Sequence, residues 1–255
     1  SNLGWGLFIF SSTLVAALNM YLLLSHYLKS KVAVVLGAVV YSTSGLMTTW
    51  TEFGTAVHAM AWLPLAIYAV EKYLIETKTR YLGVFCLSQV LIVLAGNVQI
   101  TTYSFILISA FLIYKLFTEK ITKHLISKFF LIFMTLLIAI GITMPQFLPS
   151  YDLLKKSIRA AGDTYTESYN FGLLPAKDVL KFFAADFFGN PVTKNYWGFL
   201  NYSETSGFLG TLALPLLIFS LLFLRKSKTI YFFLGTFIFS LIMAFDNPIS
   251  HLIYQ

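Results

Sequence analysis

Long runs of apolar residues, separated by short polar stretches, dominate this chain. A helix needs about 20 mostly apolar residues to cross the hydrocarbon core of a bilayer. Eight runs meet that requirement, at about 3–28, 32–50, 57–75, 80–96, 98–117, 125–148, 205–224 and 228–245. Because backbone groups in lipid must bond within their own segment, each continuous run predicts an α-helix. The predicted fold is therefore an all-α, polytopic bundle of about eight transmembrane helices, forming a single transmembrane domain over residues 1–255.

One sizeable polar region, residues 149–204, interrupts these runs, and we call it the outer segment. Pro175 opens a helix-like pattern within it, because Pro is favoured at the first position of a helix. Apolar residues recur there at helical spacing and charged residues fall on the opposite face, with Ala176, Val179, Leu180, Phe183 and Phe187 against Lys177, Asp178 and Lys181. Such an amphipathic helix is expected to lie flat in the headgroup region. It either anchors the loop or forms one wall of a groove for a lipid substrate.

Composition agrees with a membrane protein and excludes other classes. Hydrophobic residues make up 58% of the chain and charged residues 11%, with a mean hydropathy of +0.76, whereas a soluble domain carries about a quarter charged residues. The single cysteine, Cys86, excludes a disulfide framework and a cysteine-based metal centre. The net charge of +7 does not indicate a nucleic-acid partner, because the bases lie in short clusters between apolar runs.

These basic clusters predict the orientation of the helices. Twelve of the 18 Lys and Arg residues fall in alternate loops, which the positive-inside rule assigns to the cytoplasm. They are Lys29, Lys31, Lys72, Lys78, Arg80, Lys115, Lys120, Lys123, Lys128, Arg225, Lys226 and Lys228. Eight of the 11 acidic residues fall on the other side. Both ends of the chain are therefore predicted to be extracytoplasmic, and we expect it to be a piece of a longer protein with at least one further span upstream.

Polar side chains gather at the ends of the spans that are predicted to face outward. They are Tyr41, Ser44, Glu52, His58, Asn97, Gln99 and Gln146. Polar groups at membrane depth are costly, which favours a functional interpretation, and these helix ends can converge on one outward-facing cavity that binds a substrate. The alternative is that Ser, Asn and Gln hold helices together by hydrogen bonds. His58 is either a general base or metal ligand, or else a simple helix cap or surface group.

The outer segment adds aromatic and basic candidates. Its aromatic residues are typical of a membrane interface and can also stack on a sugar ring: Tyr151, Tyr165, Tyr169, Phe171, Tyr196, Trp197 and Tyr202. Arg159, supported by Lys155 and Lys156, suits the geometry of a phosphate, on either a substrate or a phospholipid headgroup. No metal-binding or nucleotide-binding motif occurs in a usable context, so no metal site is predicted.

Several short motifs, in this order, resemble those of the YfhO family of bacterial membrane proteins. They include Gly37-Ala38-Val39-Val40-Tyr41-Ser42-Thr43-Ser44-Gly45, Ala61-Trp62-Leu63-Pro64-Leu65, Leu94-Ala95-Gly96-Asn97-Val98-Gln99, Gln146-Phe147-Leu148-Pro149, Ser157-Ile158-Arg159 and Ala185-Asp186-Phe187-Phe188-Gly189. The resemblance extends from about residue 15 to the C-terminus. One departure is the turn Gly96-Asn97-Val98-Gln99, which in the family usually reads Gly-His-Pro-Gln.

The resemblance implies a GT-C-like fold and the activity of an integral-membrane glycosyltransferase in the bacterial plasma membrane. Such an enzyme takes a sugar from a polyprenyl-phosphate carrier and transfers it to a cell-envelope glycan or teichoic-acid-type acceptor on the outer face. Its key carboxylate belongs to a first outer loop that we expect upstream of this chain, which leaves Glu52, Asp152 and Asp186 as second choices. A divalent cation is compatible with this chemistry, and no other cofactor is implied.

Two alternatives remain at the level of the sequence. A lipid or glycan transporter, such as a flippase, predicts ionisable residues near the bilayer midplane or inverted repeats. Neither is evident, because no Asp or Glu lies near the centre of a predicted span. A non-catalytic membrane scaffold is the second alternative, and it would leave the polar helix ends without an explanation.

Overall fold

The computed structural model describes residues 2–119, 122–157, 172–211, 213–223 and 227–253. Ten α-helices are assigned within these ranges: α1 (Asn2–Tyr27), α2 (Lys31–Ser42), α3 (Gly45–Thr49), α4 (Thr55–Glu76), α5 (Arg80–Leu94), α6 (Val98–Thr118), α7 (Lys123–Lys155), α8 (Ala213–Phe223), α9 (Lys228–Ala244) and α10 (Pro248–Ile253). Three short 3-10 helices join them, at Trp50–Glu52, Ala176–Phe182 and Ser203–Thr205. The described residues form no strand beyond one isolated bridge between Leu174 and Phe245, so the all-α class is confirmed.

Three of the described helices are long and apolar enough to cross a membrane: Leu3–Tyr27, Val98–Thr118 and Lys123–Lys155. The helix pair Lys31–Ser42 and Gly45–Glu52 adds a fourth candidate if the two pieces form one broken span. These four coincide with the predicted runs 3–28, 98–117, 125–148 and 32–50. The eight-span count goes beyond this finding and stays a prediction.

The predicted run 205–224 differs most from the structure. Residues 206–210 are not helical, and the described helix begins only at Ala213. The backbone reason lies in the two glycines of this stretch. Gly210 adopts φ +98°, a conformation outside the helical region, and Gly207 packs so closely on Phe182 that a Cβ would lie 2.9 Å from the ring.

The chain divides into two compact units, of which the first comprises Ser1–Thr43 with Trp50–Phe147. Helix α4 is the centre of this unit and packs against α1, α5 and α6. Its buried face is rich in alanine, with Ala56, Ala59, Ala61, Ala66 and Ala69 all at most 2% exposed. Small residues let helices approach closely, which favours association in lipid, where burial of large apolar groups gives little driving force.

Large apolar side chains of the same unit point outward instead. Leu3, Val32 and Phe117 are 74%, 69% and 86% exposed. A soluble protein would rarely expose such an extended apolar surface. Small residues inside and large apolar residues outside are the arrangement expected of helices surrounded by lipid.

Pro64 lies inside α4 and explains two contacts between helices. A proline has no N–H, so the carbonyl of Met60, four residues earlier, lacks its helical partner. The hydroxyl of Tyr41 donates to this carbonyl oxygen at 2.7 Å. The side chain of Asn19 donates to the next carbonyl, that of Ala61, at 2.9 Å. Neighbouring helices therefore satisfy the backbone that the proline disturbs, as membrane helices require.

A buried ion pair joins three helices of this unit. The Nζ atom of Lys115 on α6 lies 2.7 Å from each carboxylate oxygen of Glu71 on α4. His26 on α1 approaches the same carboxylate at 3.6 Å. Glu71 and Lys115 are 4% and 8% exposed. Both charges lie toward the C-terminal ends of their helices, in agreement with the absence of acidic residues from the predicted span centres.

The second unit comprises Ser44–Thr49 with Leu148–Gln255 and contains the outer segment. The backbone N–H of Leu174 donates to the carbonyl of Ala244 at the end of α9, and its carbonyl accepts from Asp246. Pro175 is the residue before the 3-10 helix Ala176–Phe182. Within this unit the N–H of Gly45 donates to the carbonyl of Phe208.

The helix after Pro175 differs from the prediction in its charged face, because two of the three charged residues are buried, while its apolar residues are exposed, which is compatible with contact to lipid. The charged residues Asp178 and Lys181 are 2% and 3% exposed, whereas Val179 and Phe183 are 45% and 54% exposed. Asp178 and Lys181 face inward, where they pair with each other and Lys181 donates to the hydroxyls of Tyr196 and Thr205. The helix is also of the 3-10 type, whose i and i+3 side chains eclipse, so it buries Asp178 and Lys181 on one side.

Candidate functional site in the outer segment

Asp186 presents a carboxylate that is held in place and exposed to solvent. The hydroxyl of Tyr202 donates to its Oδ1 at 2.7 Å, and the amide of Asn190 donates to its Oδ2 at 3.0 Å. Its backbone carbonyl accepts from the N–H of Gly189, which closes a tight turn. A carboxylate with one donor on each oxygen is oriented but keeps further lone pairs for a ligand.

Gly189 and Asn195 fix the position of Asn190. Gly189 has φ +77°, and a Cβ there would collide with the backbone of Asn195. The side-chain oxygen of Asn195 accepts from the N–H of Asn190 at 3.0 Å. The turn therefore requires glycine, and it directs the amide of Asn190 toward Asp186.

Trp197 supplies an exposed aromatic surface beside this turn. Its side chain is 64% exposed, and its ring meets the buried ring of Phe188 edge-on with a centroid distance of 4.8 Å. Its backbone N–H donates to the carbonyl of Phe188 at 2.9 Å. The indole is thus anchored along one edge, which leaves much of its surface open.

A buried ion pair supports the loop that carries Trp197 and Tyr202. Lys181 lies 3.0 Å from Asp178, and its Nζ donates to Thr205 at 2.5 Å and to the hydroxyl of Tyr196 at 3.2 Å. Three acceptors match the three N–H donors of an ammonium group. Because an unpaired buried charge is very unfavourable, Lys181 fixes both Tyr196 and Thr205 relative to the 3-10 helix.

The environment of Tyr202 changes its acidity. Burial, together with the hydrogen bond to the negatively charged Asp186, raises the pKa of Tyr202 to about 12. The phenol therefore stays protonated over the whole physiological range and donates its hydrogen bond to Asp186 throughout.

We name Asp186, Asn190, Trp197 and Tyr202 the loop site. It combines an oriented carboxylate, an amide and an exposed indole on neighbouring turns. Hydroxyl-rich ligands with one apolar face are bound by such a set, because the polar groups accept and donate hydrogen bonds while the ring packs on C–H groups. A sugar ring has this character. The described residues contain no group of three His, Cys, Asp or Glu residues that could hold a metal ion.

Other predicted candidates of the outer segment lie at the end of α7. Tyr151, Asp152, Lys155 and Lys156 are all exposed. The Nζ atom of Lys155 lies 4.2 Å from the ring centre of Tyr151, a cation–π contact. Arg159 and Tyr165 fall outside the residues that the structure describes.

In the first unit, most predicted candidates have contacts of their own. Tyr41 bonds to Met60 as described above, and Asn97 caps α6 by accepting from the N–H of Ile100 at 2.9 Å. The amide of Gln146 lies 3.5 Å from the carbonyl of Val93. These contacts agree with the alternative to substrate binding, in which polar side chains hold helices together by hydrogen bonds.

The remaining candidates differ from one another in their contacts. Gln99 is exposed and donates to the hydroxyl of Tyr103, and Glu52 is exposed in its 3-10 helix. The ring of His58 stacks on Phe8 and its Nε2 lies 3.1 Å from the carbonyl of that residue. Ser44, in the second unit, is 9% exposed, and its carbonyl accepts from Thr48. Their assignment to substrate binding stays a prediction.

Three residues of the site region were not singled out from the sequence as site residues. Asn190 completes the loop site together with the predicted aromatic Tyr202, and Asp178 and Lys181 support it. The sequence signals were weak but present. Asn190 follows the family-like motif that ends at Gly189, and the i, i+3 spacing of Asp178 and Lys181 is that of an ion pair on a helix.

Comparison with known proteins gives one result. A family model described as "Bacterial membrane protein YfhO" matches residues 5–253. No curated protein matches the chain, and no solved structure does. The match covers nearly the whole chain and agrees with the apolar helices and their outward-facing large side chains. The chain therefore belongs to the YfhO family of bacterial membrane proteins.

Proposed function

We propose that this protein is a membrane glycosyltransferase of GT-C type, which moves a sugar from a polyprenyl-phosphate carrier to a cell-envelope glycan or teichoic-acid-type acceptor. The loop site carries the proposal. Its Asp186 carboxylate is oriented by Tyr202 and Asn190 and lies on neighbouring turns to the exposed indole of Trp197. We assign these groups to the sugar, with Asp186 accepting from ring hydroxyls and Trp197 packing on the apolar face.

The leaving group of such a reaction is a lipid phosphate, so cations near the membrane surface must stabilise it. Lys155 and Lys156 are exposed at the end of α7. Together with Arg159 of the following segment they form the proposed phosphate-binding group. A guanidinium can bind two phosphate oxygens at once, whereas each ammonium acts as a point charge.

The full architecture remains part of this proposal. Eight spans in strict alternation would bring one end of each of α2, α5, α6 and α7 to the outer side of the membrane. Tyr41, Ser44, Asn97, Gln99 and Gln146 belong to these ends and are the further residues that we assign to substrate binding. Location in the plasma membrane, with both ends of the chain extracytoplasmic, follows from the same alternation.

The test is a transfer assay with purified protein in nanodiscs. The donor is a polyprenyl-phosphate hexose and the acceptor is a polyol-phosphate polymer of the teichoic-acid type. Asp186→Asn and Trp197→Ala should each raise the KM for the sugar-bearing substrate by about tenfold, which corresponds to the loss of about 1.4 kcal/mol of binding. Native mass spectrometry should also detect polyprenyl phosphate bound to the protein.

A matched control separates the site from the general surface. Val192→Ala changes a side chain that is 90% exposed on the same loop, so it should leave the KM unchanged. Absence of transfer with every polyprenyl-phosphate hexose tested, in protein that is folded and inserted, would refute the glycosyltransferase assignment.

One observation favours the second candidate function, a lipid or glycan transporter. The pair Glu71–Lys115, with His26 beside it, is a set of ionisable groups inside a helix bundle, and such groups commonly mark transport pathways. A transporter would lose lipid or glycan translocation when both Glu71 and Lys115 are replaced by apolar residues of similar size. A glycosyltransferase that keeps the pair for packing would retain transfer in that double variant.

A further inference from the structure

An aspartate and a histidine form a contact at the end of the chain that the loop site does not use. The Nε2 atom of His251 lies 2.7 Å from the Oδ1 atom of Asp246. Their side chains are 42% and 61% exposed, respectively. A neutral imidazole that donates from Nε2 keeps its lone pair on Nδ1, and Nδ1 has no hydrogen-bond partner among the described residues.

The turn that carries this pair is held firmly by Asn247. Its side-chain oxygen accepts from the N–H groups of Ile249 and Ser250, which caps the start of α10. Its amide donates to the carbonyls of Ile242 and Phe245 at the end of α9, each at 2.7 Å. The hydroxyl of Ser250, which is fully buried, bonds to the backbone of Asn247. The positions of Asp246 and His251 are therefore set by the backbone rather than by their own contact.

The same turn is attached to the scaffold of the loop site. The N–H of Asp246 donates to the carbonyl of Leu174 at 2.8 Å, next to the 3-10 helix that contains Asp178 and Lys181. The rings of Phe182 and Phe245 lie 6.3 Å apart. All of these residues belong to the second unit. The turn that carries His251 is therefore bonded next to the 3-10 helix whose Lys181 binds Tyr196 and Thr205, in the loop that contains Trp197 and Tyr202.

We propose that His251 is the general base of the reaction and that Asp246 orients it; this rests on the proposed glycosyl transfer. Nδ1 of His251 removes the proton from the acceptor hydroxyl. The acceptor oxygen forms a bond to the anomeric carbon, while the bond between that carbon and the phosphate oxygen breaks and its electron pair leaves with the polyprenyl phosphate. The proton then passes from His251 to water. A single displacement of this kind inverts the anomeric configuration.

This assignment places the base within the present chain. Asp246 fixes the tautomer and stabilises the imidazolium that forms, as the carboxylate does in other Asp–His pairs. Positioned general bases contribute about 10²–10⁴-fold to reaction rates. Asp186 then serves to bind the sugar, and no carboxylate has to act as the base.

Kinetics of three variants test the proposal in the nanodisc assay. His251→Ala should lower kcat by about 100-fold or more with little change in KM, and added imidazole should restore part of the rate, because it can fill the vacated position. Asp246→Asn should lower kcat to a smaller extent. His124→Ala is the matched control, since His124 is exposed at the start of α7, and it should behave as wild type.

A second measurement does not depend on activity. Protein labelled with ¹⁵N-histidine should give one imidazole signal that disappears in His251→Ala and that has its proton on Nε2. A proton on Nδ1 in the neutral form would overturn the proposed geometry even if transfer occurs. Transfer by wild type that is unchanged in His251→Ala would overturn the role of His251 and leave the proposed function intact. Absence of transfer by wild type would refute both.

Discussion

Tyr41 illustrates how a single polar residue at membrane depth can serve the backbone. The sequence pattern favours a substrate-binding role. In the structure, the hydroxyl of Tyr41 donates a hydrogen bond to the carbonyl of Met60, which lacks its helical partner because of Pro64. The two residues act together, because Pro64 removes the N–H that would bond to this carbonyl and Tyr41 supplies a donor in its place. The distance between them in sequence explains why this relation is hard to see before folding is known.

A double-mutant cycle tests this relation. Tyr41→Phe should lower the free energy of unfolding by about 1–3 kcal/mol, the usual effect of leaving a buried acceptor unpaired. In a Pro64→Ala background the same change should have a much smaller effect, because the alanine introduced there can donate its own N–H to the Met60 carbonyl. Thermal unfolding in detergent micelles gives the four values. Equal effects in both backgrounds would contradict the coupling.

Tyr202 allows a prediction about pH. Its pKa is raised to about 12, so the folded state holds the phenolic proton more tightly than the unfolded state does. The stability that it contributes is therefore fully present below about pH 10 and is lost as the pH rises toward 12. At about pH 11, about one tenth of Tyr202 should be ionised, against about nine tenths of an ordinary tyrosine.

The tyrosinate absorbance of wild type minus that of Tyr202→Phe measures this fraction. Asp186→Asn removes the neighbouring negative charge and should increase the ionised fraction of Tyr202 at the same pH. An absorbance difference at that pH equal to that of a free tyrosine would show that neither burial nor Asp186 acts on Tyr202.

At the scale of elements, the apolar pattern predicted the long helices well. The ends of α1, α2 and α6 lie close to the ends of the predicted runs, apart from the break after Ser42, because runs of this length have no alternative to a helix in lipid. The pattern predicted a helix that begins too early before α8, because the backbone conformation at Gly210 and the close packing of Gly207 are not visible in the apolar pattern. It did not predict that Asp178 and Lys181 are buried, because amphipathic spacing shows that two faces differ but not what each face contacts.

The ion pair between α4 and α6 provides a prediction at this scale. Lys115→Met should destabilise the protein by about 3–5 kcal/mol, because it leaves the buried Glu71 without its cation. The double variant E71L/K115M should recover most of that loss, since it removes both buried charges. Lys78→Gln is the control, because Lys78 is 57% exposed in its contact with Glu76 and an exposed pair is worth less than about 1 kcal/mol.

Thermal unfolding in one detergent gives the three values. A double variant that is as unstable as the single one would mean that the pair is needed for a specific packing of α4 against α6. The pair was missed in the sequence because Glu71 and Lys115 are 44 residues apart. Only the packing of the two helices brings them together.

At the scale of the molecule, contacts within the first unit agree with strict alternation of its helices. His58 meets Phe8 and Gln146 meets Val93 at ends that are predicted to be outside, while Lys128 meets Leu74 at ends that are predicted to be inside. The basic residues predict which of these two sides faces the cytoplasm. The contacts between helices would be the same in either orientation. The loop site was only partly predictable for a similar reason, since Asp186 and Trp197 were evident but their partners depend on the turn at Gly189.

Labelling of single cysteines tests the orientation. In a form with Cys86→Ser, Lys78→Cys and Lys228→Cys should react only with reagents on the cytoplasmic side. Val192→Cys, at a position that is 90% exposed in the outer segment, should react only from outside. Cys-free protein is the control for background labelling. Reaction of Val192→Cys from the cytoplasm would reverse the orientation and remove the site from the outer face.

Helix α7 has a consequence that follows from its length alone. Its 33 residues extend over about 50 Å, whereas the hydrocarbon core is about 30 Å thick. With its apolar run 125–148 in the bilayer, the last seven residues rise about 10 Å above the hydrocarbon, which places Lys155 at the level of the lipid phosphates. The length of the helix sets the distance between the hydrocarbon core and the ammonium group of Lys155. Lipids with longer or shorter chains should therefore change how far Lys155 lies above the hydrocarbon and how well it contacts a lipid-linked phosphate.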